Sequence, residues 1–545
     1  MLSPIMQWLG REIPEVEMVL WLSRHFLDAS RKNVNVTEIA QFLGKSQTEF
    51  DKLWRCHDRF YRHYRYFRRG WIIQEFILAQ TDPIVRCGDK SLSWWALIEI
   101  VISAIQLAIA VGPDAVMWYE IAVMRHPEYI RNGVISEKQL EFLTATTEAR
   151  TAEQLWYANL RYLAKTLRSK QVSCLHDHIY AFFGVAERSL PSNIRHPYPL
   201  MVDYNQPIED LFLSFATQLL RNLPTLALLS SSHGLGIGDR KHPKLASWCP
   251  DYSISKDNAL EMIWTRSWAL SFGVPVFEAS LSLARESKPC QVDGNVLHVT
   301  GKRVAKVREA CQATSGMFSP SGIIRSPAGI DGIFEACLKM DPIYAITGQD
   351  RFEVLWRTLL LDYEDGIGQP IKYPESEIIS PLFQAYLTFV CSVSLAILDN
   401  DEKPKYLELL TRGEKILKSS SINISLVSST IAGLDEIGLK SNRGDMNKLL
   451  ELPCYEHATR FMSLVRYTGQ RRLFITTQKW FGLGPENLRP NDEVWLLKHA
   501  KVPFILRPYG DQYQLVGEAY VHGIMFGELV TGPGGEEGFQ DIEIV

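Results

Sequence analysis

The run Val296-Leu297-His298-Val299-Thr300-Gly301-Lys302-Arg303-Val304-Ala305-Lys306-Val307 decides how the chain is read. Apolar and polar residues alternate along it and many members are β-branched, which is the signature of half-buried strand. Gly301 reads as the turn of a hairpin. A lone hairpin is marginal in water, so this one needs partners. They are expected beyond Leu464, where Leu473–Thr477, Glu493–Leu497, Val502–Leu506, Gln512–Val516 and Ala519–Phe526 read as short strands. The turn signals between them are Gly482-Leu483-Gly484-Pro485, Pro490-Asn491-Asp492, Pro508 to Asp511 and Gly517. Strands at such spacing predict a small barrel or sandwich. The helical stretch between hairpin and strands is then an insertion into one β module.

Upstream of the hairpin the periodicity is helical. Val16, Val19, Leu20, Leu22, Phe26 and Leu27 form one stripe within Glu12–Ala29. Further helices are expected over Glu38–Leu43 with Thr37 as cap, Trp71–Gln80, Ser93–Val111, Glu153–Leu167 and Ile208–Arg221. Between the β regions, Phe352–Leu361, Pro381–Leu398 and Lys403–Leu417 read as helix, and Ser419–Ser429 as a Ser-rich linker. Ile84–Cys87 reads as a short strand closed by Gly88-Asp89. The fold class is therefore α+β: helix-rich N-terminal and middle regions with a C-terminal β barrel- or sandwich-like module.

Composition limits the function classes. Of 545 residues 46% are hydrophobic and 22% charged, which excludes a disordered or collagen-like chain. Lys plus Arg number 58 against 62 acidic residues, so there is no global basic surplus for a polyanion. Nine widely spaced cysteines read as reduced thiols of a cytoplasmic protein. Two apolar runs, Ala96–Gly112 and Leu382–Leu398, are shorter than the ~20 residues of a bilayer span and are read as buried helices.

Four motifs invite chemistry. Cys174, His176 and His178 carry zinc-type donors but lack a fourth ligand at zinc spacing, so the expectation is no metal and a polar turn in which Asp177 caps the next helix. Gly234 to Gly238 lacks both the dinucleotide and the Walker spacing and reads as a loop. Arg59 to Arg69, interleaved with Tyr61, Tyr64, Tyr66 and Phe67, suits either a nucleic-acid face or a helix end with its aromatics in the core; the second is preferred, so no nucleic acid is expected. Arg69-Gly70-Trp71-Ile72-Ile73-Gln74-Glu75 places Trp71 and Glu75 one helical turn apart. A carboxylate beside an indole in a cleft is a candidate tuned acid or base; a salt bridge to Arg68 or Arg69 is the alternative.

These residues carry a resemblance. Phe67 to Gly88 resembles the end of the fungal heterokaryon-incompatibility (HET) domain, which reads Arg-x-Trp-x-x-Gln-Glu before a strand and a Cys-Gly-like turn. Trp94 stands where that family often has tryptophan, and Gln7-Trp8-Leu9-Gly10 is similar to its Trp-Leu-Gly turn. Further blocks in family order are Asp177 to Gly184, with His176 in place of the usual Arg, then Val202-Asp203-Tyr204, Ala246 to Tyr252, Leu355 to Leu359, Arg471 to Pro485 and Val502 to Glu528. The family's upstream Ala-Leu-Ser-Tyr-x-Trp-Gly and Trp-Ile-Asp-Ala-Ile-Cys-Ile-Asn-Gln blocks are missing. The resemblance thus implies a HET protein lacking the N-terminal part of its domain.

On this reading 1–80 is the remnant of a Toll/interleukin-receptor-like α/β domain, and 81–280 a helical region with family motifs. The segment 281–308 is the hairpin, 309–464 the helical insertion and 465–545 the β module. The resemblance implies allorecognition and cell-death signalling through protein partners, without catalysis, cofactor or membrane span. Its alternative is cleavage of NAD, as substrate, by Glu75 with Trp71 and Arg69 shaping the pocket.

Overall fold

The computed structural model describes residues 6–10, 13–32, 38–81, 83–106, 151–166, 168, 170–188, 202–232, 242–254, 277–280, 289–313, 337, 339–362, 376–418, 425–437, 446–465, 471–531 and 534–545. The fold is α+β. It divides into two compact units: Met1–Leu223 with Asp251–Asp257 and Asp365–Pro370, and the remainder.

The first unit holds a three-stranded sheet. Strand β1 (Met6–Gly10) runs parallel to β2 (Ile84–Cys87), which turns at Gly88-Asp89 into antiparallel β3 (Lys90–Ser93). The Trp8-Leu9-Gly10 stretch expected as a turn is thus strand, because β2 supplies it with a hydrogen-bonding neighbour. Helices Pro14–Arg31 and Gln47–His63 lie in the crossover, and helix Trp94–Gln106 follows β3 directly. Helix Gln47–His63 was not anticipated, although its start carries a capping box: Glu49 N–H donates to Ser46 Oγ at 3.3 Å and Ser46 N–H to Glu49 Oε2 at 2.9 Å. The expected cap Thr37 and residues 107–111 of the Ser93–Val111 helix lie outside the described residues.

An aromatic core joins these helices. Phe26 meets Trp54 at 5.4 Å between ring centroids, Trp54 stacks on His57 at 5.1 Å, and Phe76 meets Trp94 at 4.1 Å. Tyr61, Tyr64 and Phe67 are buried here and Tyr66 is half-buried, so most aromatics of the basic run belong to the core and its arginines to the surface. His57 is fully buried, and its Nε2 has no hydrogen-bond partner. Burial drives its pKa down from 6.5 to about 3.

The second unit is organised by one strand. β4 (Gln291–Asp293) turns at Gly294, with φ +57°, into β5, which runs unbroken from Val296 to Ala313. The hairpin exists, but its turn is at Gly294, not Gly301. β5 pairs successively with β12 (Gln540–Ile544) through Leu297 to Gly301, β8 (Glu493–Leu497) through Gly301 to Lys306, and β6 (Arg471–Thr476) through Val307 to Ala313. β12 joins β10 (Gln512–Glu518), β10 pairs with β9 (Phe504–Tyr509), and β9 with β8. The path β5–β12–β10–β9–β8 therefore returns to β5. β7 (Phe481–Pro485) and the two-residue β11 (Tyr520–Val521) continue outward from β6.

Glycines in these strands mark close approach. A Cβ on Gly301 would lie 2.7 Å from Leu497 Cδ2, and one on Gly482 only 2.4 Å from the Tyr520 carbonyl oxygen. Gly482 to Pro485 therefore form a strand, correcting the turn expected there. Val307, Phe474, Val494, Ile505 and Val516 fill the space between the strands.

Helices Arg351–Leu359, Ser376–Ile397, Lys403–Lys418, Leu426–Glu436 and Tyr455–Leu464 stand between β5 and β6 in the chain. Leu426–Glu436 begins inside the stretch expected as linker. Helix Ser376–Ile397 starts before Pro381, which was expected to open it. Among the described residues its segment Glu377–Ala396 is long and apolar enough to cross a membrane, and 67% of that apolar window is buried within the protein.

Two predictions follow from packing. Gly482→Ala meets rigid backbone and Gly301→Ala a flexible leucine end. Overpacking costs about 1–3 kcal/mol, so Gly482→Ala is expected to lower the urea midpoint more than Gly301→Ala. For His57, the folded-state pKa lies below the unfolded one, so the unfolded chain takes up the proton first as pH falls. Its contribution is complete above about pH 6.5 and is lost progressively toward pH 3. Denaturation curves of His57→Leu across this range should show a shallower acid loss than those of the parent.

Candidate functional site

Three blocks far apart in the sequence meet in the first unit. Backbone comes first. Gly70 N–H donates to the Gln171 carbonyl at 3.0 Å, and Gln171 N–H to the Arg68 carbonyl at 2.6 Å, a parallel bridge centred on Arg69 and Gln171. Buried Lys170 Nζ donates to the Phe67 carbonyl at 2.7 Å. A Cβ on Gly70 would stand 2.9 Å from Val172 Cγ1, so glycine permits this close approach. Trp71 is thereby delivered to the short helix Asp177–Tyr180.

Asp177 is the junction. Its carboxylate accepts from Trp71 Nε1 at 2.9 Å and from the Tyr204 hydroxyl at 2.8 Å. It is not the cap expected from the sequence: the N-cap position is His176, with no side-chain capping bond, and Asp177 is the first helical residue. Tyr180 repeats the stitch one turn on. Its hydroxyl donates to the Asp203 carbonyl at 3.1 Å and accepts from Asp203 N–H and Gln206 Nε2, each at 3.2 Å. Burial, and then the bond to Asp177, raise the Tyr204 phenol to about 12.

The predicted site residues separate. Trp71 and Glu75 are one turn apart, with Glu75 N–H bonded to the Trp71 carbonyl at 3.3 Å. Yet the Trp71 indole N–H serves Asp177, and Glu75 is exposed. Glu75 accepts from the Tyr66 hydroxyl at 3.3 Å, and among the described residues no salt bridge joins it to Arg68 or Arg69. Burial first, and the Glu75 charge second, push the Tyr66 phenol upward. Arg69 enters the arrangement through its backbone, with its side chain exposed. Sequence reasoning missed Asp177, Tyr180, Tyr204 and Gln206 as one cluster; the visible signal was that the D-H-I-Y and V-D-Y blocks each carry an aspartate and a tyrosine, three residues apart in the first and adjacent in the second.

The Cys174–His178 run lies in a turn leading into helix, so its three donors do not share a strand face. Cys174 Sγ is 3.3 Å from His176 Nδ1, and His176 Nε2 donates to the Gln206 carbonyl at 2.9 Å. Among the described residues no group of three or more His, Cys, Asp or Glu is placed to hold a metal ion. Gly234 to Gly238 lie outside the described residues.

The second unit has its own polar network. Asp492 takes a two-pronged pair from Arg507, Nε at 2.8 Å and Nη2 at 2.9 Å, and accepts from Arg489 N–H at 2.8 Å. His522 Nε2 is 2.7 Å from Gln349 Oε1, and its Nδ1 is 2.8 Å from the Tyr520 hydroxyl. Burial holds its pKa down at about 4, which keeps the imidazole neutral. The Tyr344 hydroxyl donates to the His522 carbonyl at 3.0 Å and accepts from Phe481 N–H at 3.2 Å.

Asp177→Ala removes the acceptor of two donors at once. A typical hydrogen bond contributes about 0.5–1.5 kcal/mol net, and with both donors partly open to water a loss of unfolding free energy of about that size is expected. Ultraviolet titration should find the Tyr204 phenol nearer its ordinary value, since the phenolate no longer faces a carboxylate.

Residues 440–539 match the Het-6 beta-barrel domain family. That range takes in β6 to β11, while β5 and β12, which complete the pairing circuit, fall outside it. The chain is 37% identical over 83 residues to heterokaryon incompatibility protein 6, OR allele, of Neurospora crassa. The alignment spans 14% of this chain and 12% of that protein. No solved structure matches the chain significantly. Over these stretches the chain is similar to heterokaryon-incompatibility (HET) proteins, and it spans only a small part of the length of the Neurospora protein.

Proposed function

We propose that the chain acts in fungal heterokaryon incompatibility as a cytoplasmic, non-catalytic signalling protein. It would convert contact with a protein partner into a cell-death response. The observation that carries this reading is the Het-6 barrel match together with the likeness to heterokaryon incompatibility protein 6. The geometry of the first unit is in keeping with it. Asp177 uses its carboxylate oxygens to hold Trp71 and Tyr204 at the surface, where they are 38% and 47% exposed. That is an arrangement for presenting side chains to a partner rather than enclosing a substrate. The β1–β3 sheet with its flanking helices is read as the Toll/interleukin-receptor-like part of the molecule.

The test is inducible expression of the full chain in a filamentous fungus, scored by vital-dye uptake in hyphal compartments. Death is expected to rise on induction and to fall with Arg507→Ala, which takes the two-pronged guanidinium pair from buried Asp492 in the β module. Purified protein incubated with NAD should release no nicotinamide, whether Glu75 is present or replaced by Ala. Viable hyphae at full expression, or nicotinamide release abolished by Glu75→Ala, would displace this reading.

A further inference from the structure

We propose that the first unit carries a docking face for an anionic lipid surface, formed by an exposed cationic stripe bordered by Trp71. From Lys45 to Glu75 the chain has eight Lys or Arg against four Asp or Glu, in a protein whose net charge is −4. The five arginines from Arg59 to Arg69 have no acidic residue among them. On helix Gln47–His63 the residues Lys52, Arg55, Arg59 and Arg62 recur at spacings of three and four, which puts them on one side. All four are exposed, whereas Phe50, His57, Phe60 and Tyr61 bury the other side. Arg59 reaches Glu15 only at 3.7 Å and stays open to water. Arg65, Arg68 and Arg69 extend the exposed stripe to the bridge at Gln171.

At this end the stripe meets apolar surface. Trp71 stands two residues past Arg69, and Tyr204 shares its Asp177 anchor. Leu175, two residues before Asp177, is exposed as well. Tryptophan and tyrosine with an apolar body and one satisfied polar tip settle at the headgroup level of a bilayer, and flanking cations add attraction to anionic headgroups. A nucleic acid is the weaker match. Of the rings interleaved with the arginines, Tyr61, Tyr64 and Phe67 are buried and offer no stacking platform to bases, and half-buried Tyr66 is tied to Glu75 through its hydroxyl.

The experiment is co-sedimentation of the full chain with phosphatidylcholine vesicles, with and without phosphatidylserine. Strong sedimentation is expected only with phosphatidylserine, falling steeply as salt is raised. Each surface cation is worth about fivefold in partition, so reversing Arg65, Arg68 and Arg69 together to Glu should reduce binding by roughly a hundredfold or more. Lys52→Glu with Arg55→Glu, on the other arm of the stripe, provides a second variant with the same expected direction. Trp71→Ala should weaken binding severalfold while leaving the salt dependence in place. Circular dichroism checks that each variant is folded. Equal sedimentation with neutral vesicles, no sedimentation of the parent, or charge-reversed folded variants that bind like the parent would overturn the proposal. So would tighter binding to duplex DNA than to phosphatidylserine vesicles at the same salt.

Discussion

Strand β5 is shared in turn by β12, β8 and β6, and the C-terminal unit depends on that sharing. A strand this long must give its backbone groups partners along its whole length, or leave an edge that other chains can join. Here the partners change as β5 proceeds. Gly301 is the point of change: it pairs with Gln540 of β12 and also with Leu497 of β8. A Cβ there would press on the end of the Leu497 side chain, so the crossing is closest with glycine. The chain between β5 and β6 can therefore carry a set of helices without opening the sheet, because both ends of that insertion are fixed by β5–β6 pairing.

The N-terminal unit is organised around a carboxylate instead of a strand. Asp177 holds two aromatic side chains whose polar tips would otherwise seek water. Its bonds tie the Arg69–Glu75 block to the Val202–Tyr204 block, which are separated by more than a hundred residues of chain. Trp71 and Tyr204 nevertheless remain partly exposed.

Much of the helical framework was legible because amphipathic periodicity is local. Val16, Val19, Leu22 and Phe26 announce their helix and are all buried in it. The β module was legible in outline for the same reason, from alternation in Val296–Val307 and from short apolar runs such as Glu493–Leu497 bounded by turn signals. Errors gathered at glycine. Gly301 and Gly482 read as turns because sequence shows glycine's freedom but not the neighbour that demands it, whereas Gly294, with its positive φ, is a true turn. Of the candidate site, Trp71 and Glu75 were visible as helix neighbours. Their separate partners, Asp177 and Tyr66, were not, because a hydrogen bond between distant residues leaves no periodic trace.

What the sequence determined by itself was the class of the fold, the position of most helices and strands, and the ordered blocks that resemble HET proteins. These rest on local preferences: side-chain period, capping residues and turn chemistry. Tertiary structure alone decided that Trp8 belongs to a parallel strand, that Asp177 is a junction, and that Trp71 and Glu75 bond to separate partners. Each of those outcomes depends on which backbone or side chain arrives from elsewhere in the chain. Burial and hydrogen bonding between remote segments are properties of the packed molecule, so they exist only once the chain has folded.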